Sequence, residues 1–299
     1  MSYIARLSPC LVLAACGGPM IQSAPSTAGL PESVAVFEAR TGAPVSYPAL
    51  LARLAGADFV LLGELHDNPT HHQVRGLLIG APTARPPAVV FEQLAAAEAS
   101  IPVPSPEGSI EGWLDANGFD RKAWKWPLHA PAVNAAIASG RSVWGSGVSR
   151  EALRSVVKEG ARSAPEALWR LLEATPLDSA EQAAMDHDLI VGHCNQLPES
   201  MIPGMRAAQE VRDAAMTRAL LSAGADGPAW LIAGNGHVRS DVAVPRLLRG
   251  SAPGRSVLVV GLLESGPGGR LPDFEPGRYN LVIVTPPATR EDPCARLGK

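Results

Sequence analysis

The sequence predicts an α/β fold, in which a mostly parallel sheet is flanked by helices and a smaller helical subdomain is inserted. Short apolar runs rich in β-branched residues alternate with stretches of helical periodicity, as expected when crossover helices connect parallel strands. Residues 57–65 are apolar on both faces, which is typical of a central parallel strand. A chain of 299 residues with 46% hydrophobic residues is long enough to bury such a sheet.

The strands are predicted from apolar runs bounded by turn residues. They fall at residues 33–39, 57–65, 87–94, 142–148, 228–234, 256–263 and 279–285. Helices are predicted between them at residues 47–54, 69–78 and 150–159, the second capped by Asn68 and the third by Ser149. Residues 101–118 contain several prolines and are expected to form a loop. Residues 164–225 are expected to form the helical subdomain, ending in a long helix at 203–223.

The N-terminus has the features of a bacterial lipoprotein signal. Arg6 is followed by a short apolar run and then by Leu13-Ala14-Ala15-Cys16, which resembles a lipobox that ends in the lipidated cysteine. We therefore expect a signal peptide at 1–16, a flexible tether at 17–32 and a folded domain at 33–299. The protein would be exported and lipid-anchored to the cell envelope, at the outer membrane. The alternative is an apolar N-terminus that arose by chance.

The cysteine count follows from this interpretation. If Cys10 is removed with the signal and Cys16 is lipidated, Cys194 and Cys294 remain. In an exported protein two remaining cysteines are candidates for one disulfide; two unpaired cysteines are the alternative. The formal net charge of −3 and the sequence pI of about 6.2 give no electrostatic basis for binding nucleic acid.

Reactive side chains follow three predicted strands that are distant in sequence. Glu64 and His66 follow the strand at 57–65, Glu92 ends the strand at 87–94, and His237 follows Gly234-Asn235-Gly236. The carboxyl ends of parallel strands meet at one edge of a sheet. Two imidazoles and two carboxylates suit a divalent metal ion, or a general acid/base pair. Each of these residues taken singly is also explained as a cap or a hydrogen-bond anchor.

The helical region contains a second set of polar residues. His193 precedes Cys194, and Gln209, Arg212 and Asp213 lie at helical spacing on neighbouring faces of one helix. An arginine there could pair with a carboxylate or a propionate. A polar helix face exposed to solvent is the alternative.

Together these motifs resemble the ChaN-like family of the Tiki/TraB/erythromycin esterase superfamily over about residues 33–240. The resemblance is carried by Gly-Glu-x-His-Asp-Asn-Pro-x-His-His at 63–72, Phe-Glu-Gln at 91–93, Trp-Pro at 126–127, His-Cys-x-x-Leu-Pro at 193–198 and Gly-x-Gly-His at 234–237. It implies haem bound in a pocket that a second subunit can complete, and a partner transport system in the envelope. With haem as the expected ligand, the candidate cofactor-binding residues are Glu64, His66, His71, Glu92, His129, His193, Gln209, Arg212 and His237.

The Trp-Pro segment departs from the family pattern. The family commonly has a tyrosine shortly after it, and here Leu128-His129 follows. His129 and His193 are therefore the candidate axial ligands of haem iron. Two hypotheses follow: an envelope lipoprotein that binds haem or iron for uptake or storage, and a metal-dependent hydrolase that uses Glu64, His66, Glu92 and His237. The sequence leaves open whether the protein is an enzyme.

Overall fold

The structure, a computed structural model, describes residues 29–105 and 108–296. The predicted signal peptide, the lipidation site Cys16 and most of the tether lie outside the described residues. Within the described ranges, no helix combines the length and the apolar character that crossing a membrane requires.

A single seven-stranded sheet, in the order β1-β7-β6-β2-β5-β3-β4, forms the centre of the molecule. The strands are β1 Ala35–Glu38, β2 Phe59–Leu62, β3 Ala88–Ala95, β4 Val143–Gly147, β5 Ala229–Ile232, β6 Val257–Glu264 and β7 Leu281–Thr285. Only the edge pair β1 and β7 is antiparallel among these strands. The mostly parallel α/β fold predicted from the sequence is confirmed.

Helices cover both faces of this sheet. They are α1 Tyr47–Gly56, α2 Pro69–Gly80, α3 Ile110–Ala116, α4 Ala130–Ala138, α5 Arg150–Glu159, α6 Glu166–Ala174, α7 Ser179–Gly192, α8 Ile202–Ala223, α9 Asn235–Val238 and α10 Val244–Ser251. Asn68 caps α2, its side chain accepting from Thr70 and His71 N–H, and Ser149 caps α5. Both caps were predicted from the sequence.

Alternate residues of the central strands enter two different cores, as the two-residue period of a strand requires. Val60 and Leu62 of β2 face the core that includes α1, α2 and α4. Phe59 and Leu61 of the same strand face the core under α8 and α10. This two-sided burial explains why the strand sequence is continuously apolar.

The region between β4 and β5 is helical, as expected for residues 164–225. Its helices α6 and α8 share a small core with α5 and α10, built around Val156, Leu168, Val211 and Leu247. The second half of α8 packs on the sheet itself through Met216, Ala219 and Leu220. The long helix α8 therefore connects the helical region to the sheet.

The interpretation of residues 101–118 as a loop was wrong in its second half. Ser109 caps α3 by accepting from Gly112 N–H, and the helix buries Trp113 and Leu114. The prolines that suggested a loop all precede this helix. Burial of two large apolar side chains explains why a short helix forms there.

Cys194 and Cys294 are joined by a disulfide across a sequence separation of 100 residues, with their Cα atoms 5.6 Å apart. It links the end of α7 to the C-terminal segment after β7. Closing a loop of this length stabilises the fold by about 4–5 kcal/mol in the chain-entropy description.

Candidate functional site

Three consecutive strands of the sheet, β2, β5 and β3, bring the predicted strand-end residues together. Glu64 follows β2, His237 lies in α9 just after β5, and Glu92 lies in the second half of β3. The approach is close at Gly63, where a Cβ would lie 2.1 Å from Asn235 Oδ1. A side chain at position 63 would therefore displace the side chains of Asn235 and Val238.

Glu64 is the centre of the first polar cluster and is 1% exposed. Its Oε1 accepts from His66 Nδ1 at 2.8 Å, and its Oε2 forms an ion pair with Arg75. Burial raises the pKa of this carboxyl, but the charge of Arg75 and the hydrogen bond from His66 outweigh burial and bring the pKa to about 2. Glu64 is therefore a carboxylate at any physiological pH.

Arg75 organises the histidine beside it. The guanidinium donates to His72 Nδ1 at 2.9 Å, and His72 Nε2 donates to the carbonyl oxygen of His66 at 3.0 Å. Because a carbonyl oxygen only accepts, the proton of a neutral His72 must be on Nε2. Burial is the first cause that lowers the pKa of His72, which keeps this ring neutral.

Glu92 is the centre of the second cluster. It forms an ion pair with Arg212, accepts from Gly234 N–H at 2.8 Å, and lies 3.5 Å from His237 Nε2. Burial raises the pKa of Glu92, but the charges of His237, His66 and Arg212 and the Gly234 N–H bring it to about 2. Asp213 lies behind His237, accepting from Nδ1 at 2.6 Å, and burial raises the pKa of this carboxyl.

His66 lies between the two clusters. A Cβ on Gly234 would lie 2.8 Å from His66 Nε2 and 3.8 Å from Glu92 Oε2, and the ring packs edge-on against Trp124 at 5.0 Å. Burial lowers the pKa of His66, but the hydrogen bond to Glu64 and the charges of Glu92 and Glu64 outweigh burial, so the pKa is raised. The arrangement is that of a general acid/base imidazole oriented by a carboxylate.

A groove opens beside these clusters. A cavity of about 680 Å³ is lined by Glu92, Gln93, Trp124, Arg150, Arg212 and Met216 among others. A second cavity of about 520 Å³ is lined by Arg154, Leu189, His193, Met205 and Gln209 among others. Arg150, Leu153 and Arg212 line both cavities, so the two form one groove with a polar floor and arginines along its walls.

His193 lies in the wall of the second cavity and is exposed. Its Nδ1 donates to the carbonyl oxygen of Leu189 at 2.7 Å. This bond places the proton of the neutral ring on Nδ1 and the lone pair on Nε2. An imidazole in this tautomer is ready to bind a metal ion through Nε2.

His129 is placed differently from His193. It is 2% exposed, and its ring packs against His72 at 4.3 Å and against Trp124 at 5.7 Å. Burial lowers the pKa of His129 to about 3. The structure therefore places this candidate axial ligand inside the protein, away from any surface that a porphyrin could reach.

The remaining predicted residues differ in their access to the groove. Gln209 and Arg212 line it. His71 is buried, and both its ring nitrogens have partners, Leu65 N–H at 3.0 Å and Thr285 Oγ1 at 2.9 Å, so this ring fixes α2 to β7. The structure brings Glu64, His66, Glu92 and His237 into two hydrogen-bonded clusters.

A different set of residues has the geometry of a metal site. Within the described part of the chain, one group of three ligand-type side chains has donor atoms that all lie within 4.8 Å of one another: Glu64, His72 and His129. Arg75 already bonds Glu64 Oε2 and His72 Nδ1. A divalent cation there would lie against a buried guanidinium, so the donor set does not suit an added ion while Arg75 is in place.

Sequence reasoning missed Arg75, Arg150 and Arg154 as parts of this region. A signal for Arg75 was present, because positions 71, 74, 75 and 78 share one face of α2, and that face is otherwise apolar or histidine. A single charge on a buried helix face requires a partner in the interior. Nothing in the sequence distinguishes Arg150 and Arg154 from other surface arginines.

Comparison with known proteins agrees with this architecture. The sequence profile of the family described as haem-binding uptake, Tiki superfamily, ChaN matches residues 50–248, which is more than half of the chain. The chain belongs to this family. The match spans the central strands, both polar clusters and the groove, and it confirms the resemblance deduced from the motifs. Among curated proteins, none matches the chain.

A solved structure shows the same fold. ChaN of Campylobacter jejuni, described with cofacial heme binding, superposes with a TM-score of 0.67 at 18% sequence identity, covering 84% of this chain and 96% of that chain. The type III effector HopBA1 has a TM-score of 0.42 at 15% identity, covering 80% of this chain and 92% of its own. An erythromycin esterase, EreC, has a TM-score of 0.36 at 14% identity, covering 83% and 81%. Only the first likeness is strong enough to describe the fold.

Proposed function

We propose that this protein binds haem in the groove between the sheet edge and helices α5, α7 and α8, with His193 as the axial ligand of the iron. The observation that carries the proposal is the position of His193, in the wall of an arginine-lined groove with Nε2 free to bind. Its membership of a family described by haem-binding uptake supports the same conclusion. Haem supplies a Lewis-acidic iron and two propionates, and the groove offers partners for each.

The groove fits a flat, amphipathic macrocycle. Its walls include the apolar side chains of Leu153, Val157, Leu189 and Met205, and such side chains suit the porphyrin faces. Arg150, Arg154 and Arg212 are cations of the kind that bind carboxylates through paired hydrogen bonds. Each of the two adjoining cavities, of about 680 and 520 Å³, has a volume within the range of cofactor pockets.

His193, rather than His129, is the histidine that the proposal assigns to the iron. A surface ring with a free Nε2 can approach iron without rearrangement of the core. His129 is separated from the groove by Trp124, which lines the larger cavity and packs on His129. Exposing His129 would require opening the core around Phe119 and His72.

A hemin titration of the purified, disulfide-bonded protein tests the proposal. We expect a Soret band shifted to that of histidine-ligated haem, and we expect H193A to lose that spectrum and bind hemin at least tenfold more weakly. The matched control is H187A, because His187 is exposed on the same helix α7. Wild-type protein that leaves the spectrum of free hemin unchanged would overturn the proposal.

We propose the cell envelope as the location of the protein. Lipidation of Cys16 would anchor the protein to the cell envelope, at the outer membrane, and the tether would let the domain work at the membrane surface. Uptake or storage of haem or iron in the envelope then requires a transport system that receives the ligand. A second copy of the chain would complete the open side of the groove.

A second candidate function is supported by the Glu64–His66 pair. The raised pKa of His66 and its orientation by a buried carboxylate are properties of a general base, which would make the protein a hydrolase. Glu92, Arg212 and the Asp213–His237 pair would form the polar floor on which a substrate carbonyl is placed. The Arg75 guanidinium takes the place of an added ion beside Glu64, so this hydrolase would work without a metal.

Ester hydrolysis by the purified protein distinguishes the two functions. A hydrolase should cleave activated aryl esters with a rate that falls at least 100-fold in H66A and remains unchanged in H193A. A haem protein should show the reverse dependence on these two histidines in the hemin titration. Equal rates of ester hydrolysis in wild type and H66A would exclude the hydrolase function.

A further inference from the structure

The loop that carries the proposed haem ligand has an unusual backbone. His193 is the C-terminal cap of α7, and the next two residues, Cys194 and Asn195, have φ angles of 59° and 57°. Positive φ is sparsely populated by residues other than glycine. Two such residues in succession keep this conformation only where other contacts hold the loop.

Backbone hydrogen bonds close this turn, from Cys194 N–H to Val191 O and from Asn195 N–H to Ile190 O, both at 2.9 Å. The disulfide is the covalent contact that joins the turn to a distant part of the chain. Cys194 is bonded to Cys294, whose backbone N–H is fixed by Asp292 Oδ1 at 2.8 Å. Four residues before Cys294, Arg290 donates to Asp67 at 2.8 Å and to Glu264 at 2.8 Å. Glu264 ends β6, and Asp67 follows β2. The loop is thus tied, through the disulfide and Arg290, to the edge of the sheet where the two polar clusters lie.

We propose that the Cys194–Cys294 disulfide positions His193 for haem, so that reduction of this disulfide by a dithiol lowers the haem affinity of the groove. This inference rests on the proposed function, because it takes His193 as the axial ligand. Haem binding and the redox state of the disulfide are then coupled through two neighbouring residues: His193, which binds the iron, and Cys194, which is bonded to Cys294.

The disulfide is open to reduction from the C-terminal side. Cys294 is exposed and Cys194 is half-buried, so an external thiolate has access to Cys294 Sγ. Attack there breaks the Cys194–Cys294 bond and releases the Cys194 thiolate. The second thiol of the reductant then displaces Cys294, and the dithiol becomes a cyclic disulfide while two protein thiols form. Two electrons pass from the dithiol to the protein.

Reduction changes the affinity by changing the fraction of molecules in which His193 is correctly placed. If the freed loop holds His193 in the binding position about one tenth of the time, the apparent haem affinity falls about tenfold. The coupling is reciprocal. Bound haem should therefore lower the equilibrium constant for reduction of the disulfide by the same factor.

Serine variants test the inference without introducing thiols that could themselves bind iron. The hemin affinity of C194S/C294S should be about tenfold weaker than that of wild type. In an H193A background the same two substitutions should cause no further loss, because the residue that they position is absent. The control N195G relieves one positive φ and leaves the disulfide intact; its hemin affinity should equal that of wild type.

An equal loss in the H193A background would show that the disulfide acts on the whole groove, and the inference would be wrong. Equal affinity of C194S/C294S and wild type would also overturn it. ¹⁵N NMR of the histidine rings in the haem-free protein tests the inference without haem. It therefore distinguishes failure of this inference from failure of the proposed haem binding. We expect the His193 Nδ1–H bond to Leu189 to be lost in C194S/C294S; its persistence would overturn the inference even if no variant binds hemin.

Discussion

Arg75 and Glu64 form an ion pair in which neither side chain is exposed to solvent. The pair lies at the junction of β2 and α2, directly under the strand ends that carry His66 and His237. Arg75 Nε and Nη1 have no hydrogen-bond partner among the described residues, so the pair recovers only part of the free energy of desolvating two charges. Its position next to the candidate site accounts for the strongly acidic Glu64 and the neutral His72.

Replacing Arg75 alone should be severely destabilising. In R75L the Glu64 carboxylate would remain buried without its counter-ion, and we expect the free energy of unfolding to fall by about 3–5 kcal/mol. The double variant R75L/E64L should recover most of this loss, since both charges are removed. Urea-induced unfolding followed by circular dichroism measures all three proteins. A double variant as unstable as R75L would mean that packing, not charge, causes the loss.

The buried histidines should make the protein sensitive to mild acid. Burial lowers the pKa of both His71 and His129 to about 3, whereas an unfolded histidine titrates near 6.5. Between those values the unfolded chain binds protons that the native state does not, so stability falls as pH drops below 6.5. Each ring contributes a slope of about 1.4 kcal/mol per pH unit. The raised pKa of His66 acts in the opposite direction, but the pKa of His72 is also lowered, so three rings oppose one.

Unfolding free energies at pH 7, 6 and 5 check this expectation. In H129L the pH dependence should be shallower by the slope of one proton, while H187A, at an exposed position, should match wild type. A pH dependence in H129L identical to that of wild type would show that His129 is protonated in the native state.

Cys16 should determine where the protein is found in the cell. The sequence Leu13-Ala14-Ala15-Cys16 predicts lipidation of the cysteine, and two or more acyl chains give stable membrane anchoring. C16S should therefore leave the membrane fraction, while C10S, which alters a residue before the predicted cleavage site, should remain there. Detection of wild-type protein only in soluble fractions would contradict the lipoprotein hypothesis.

The fold was predictable because its signals are local. Runs such as Phe59–Leu62 and Ala229–Ile232 are apolar on both faces, and Asn68 and Ser149 start helices by a chemistry that needs only neighbouring residues. The helix Ile110–Ala116 was missed because only two of its residues, Trp113 and Leu114, are buried and because prolines precede it. Its stability comes from packing of Trp113 and Leu114 into the core, which a short sequence window does not reveal.

The candidate site was predictable only in part. Glycines and polar residues at strand ends marked Glu64, Glu92 and His237, because parallel strands gather at one edge. The sequence does not show which histidines reach the surface: His129 and His193 looked equivalent, yet one is buried against His72 and the other lines the groove. That difference is set by contacts between α4 and α2 and by the disulfide, both of which join residues distant in sequence.

Arg154 should contribute to haem binding through a propionate. It lies in the groove beside His193 and forms no ion pair with the other described residues, whereas Arg150 and Arg212 are paired with Asp120 and Glu92. A charge-assisted hydrogen bond to a carboxylate contributes about 1.5–3 kcal/mol, so R154Q should bind hemin roughly 10- to 100-fold more weakly. The matched control is R162Q, because Arg162 is paired with Glu173 on the surface. Hemin dimethyl ester has no propionate charge, so wild type and R154Q should bind it equally; a loss of the same size with the ester would show that Arg154 acts through the shape of the groove and not through charge.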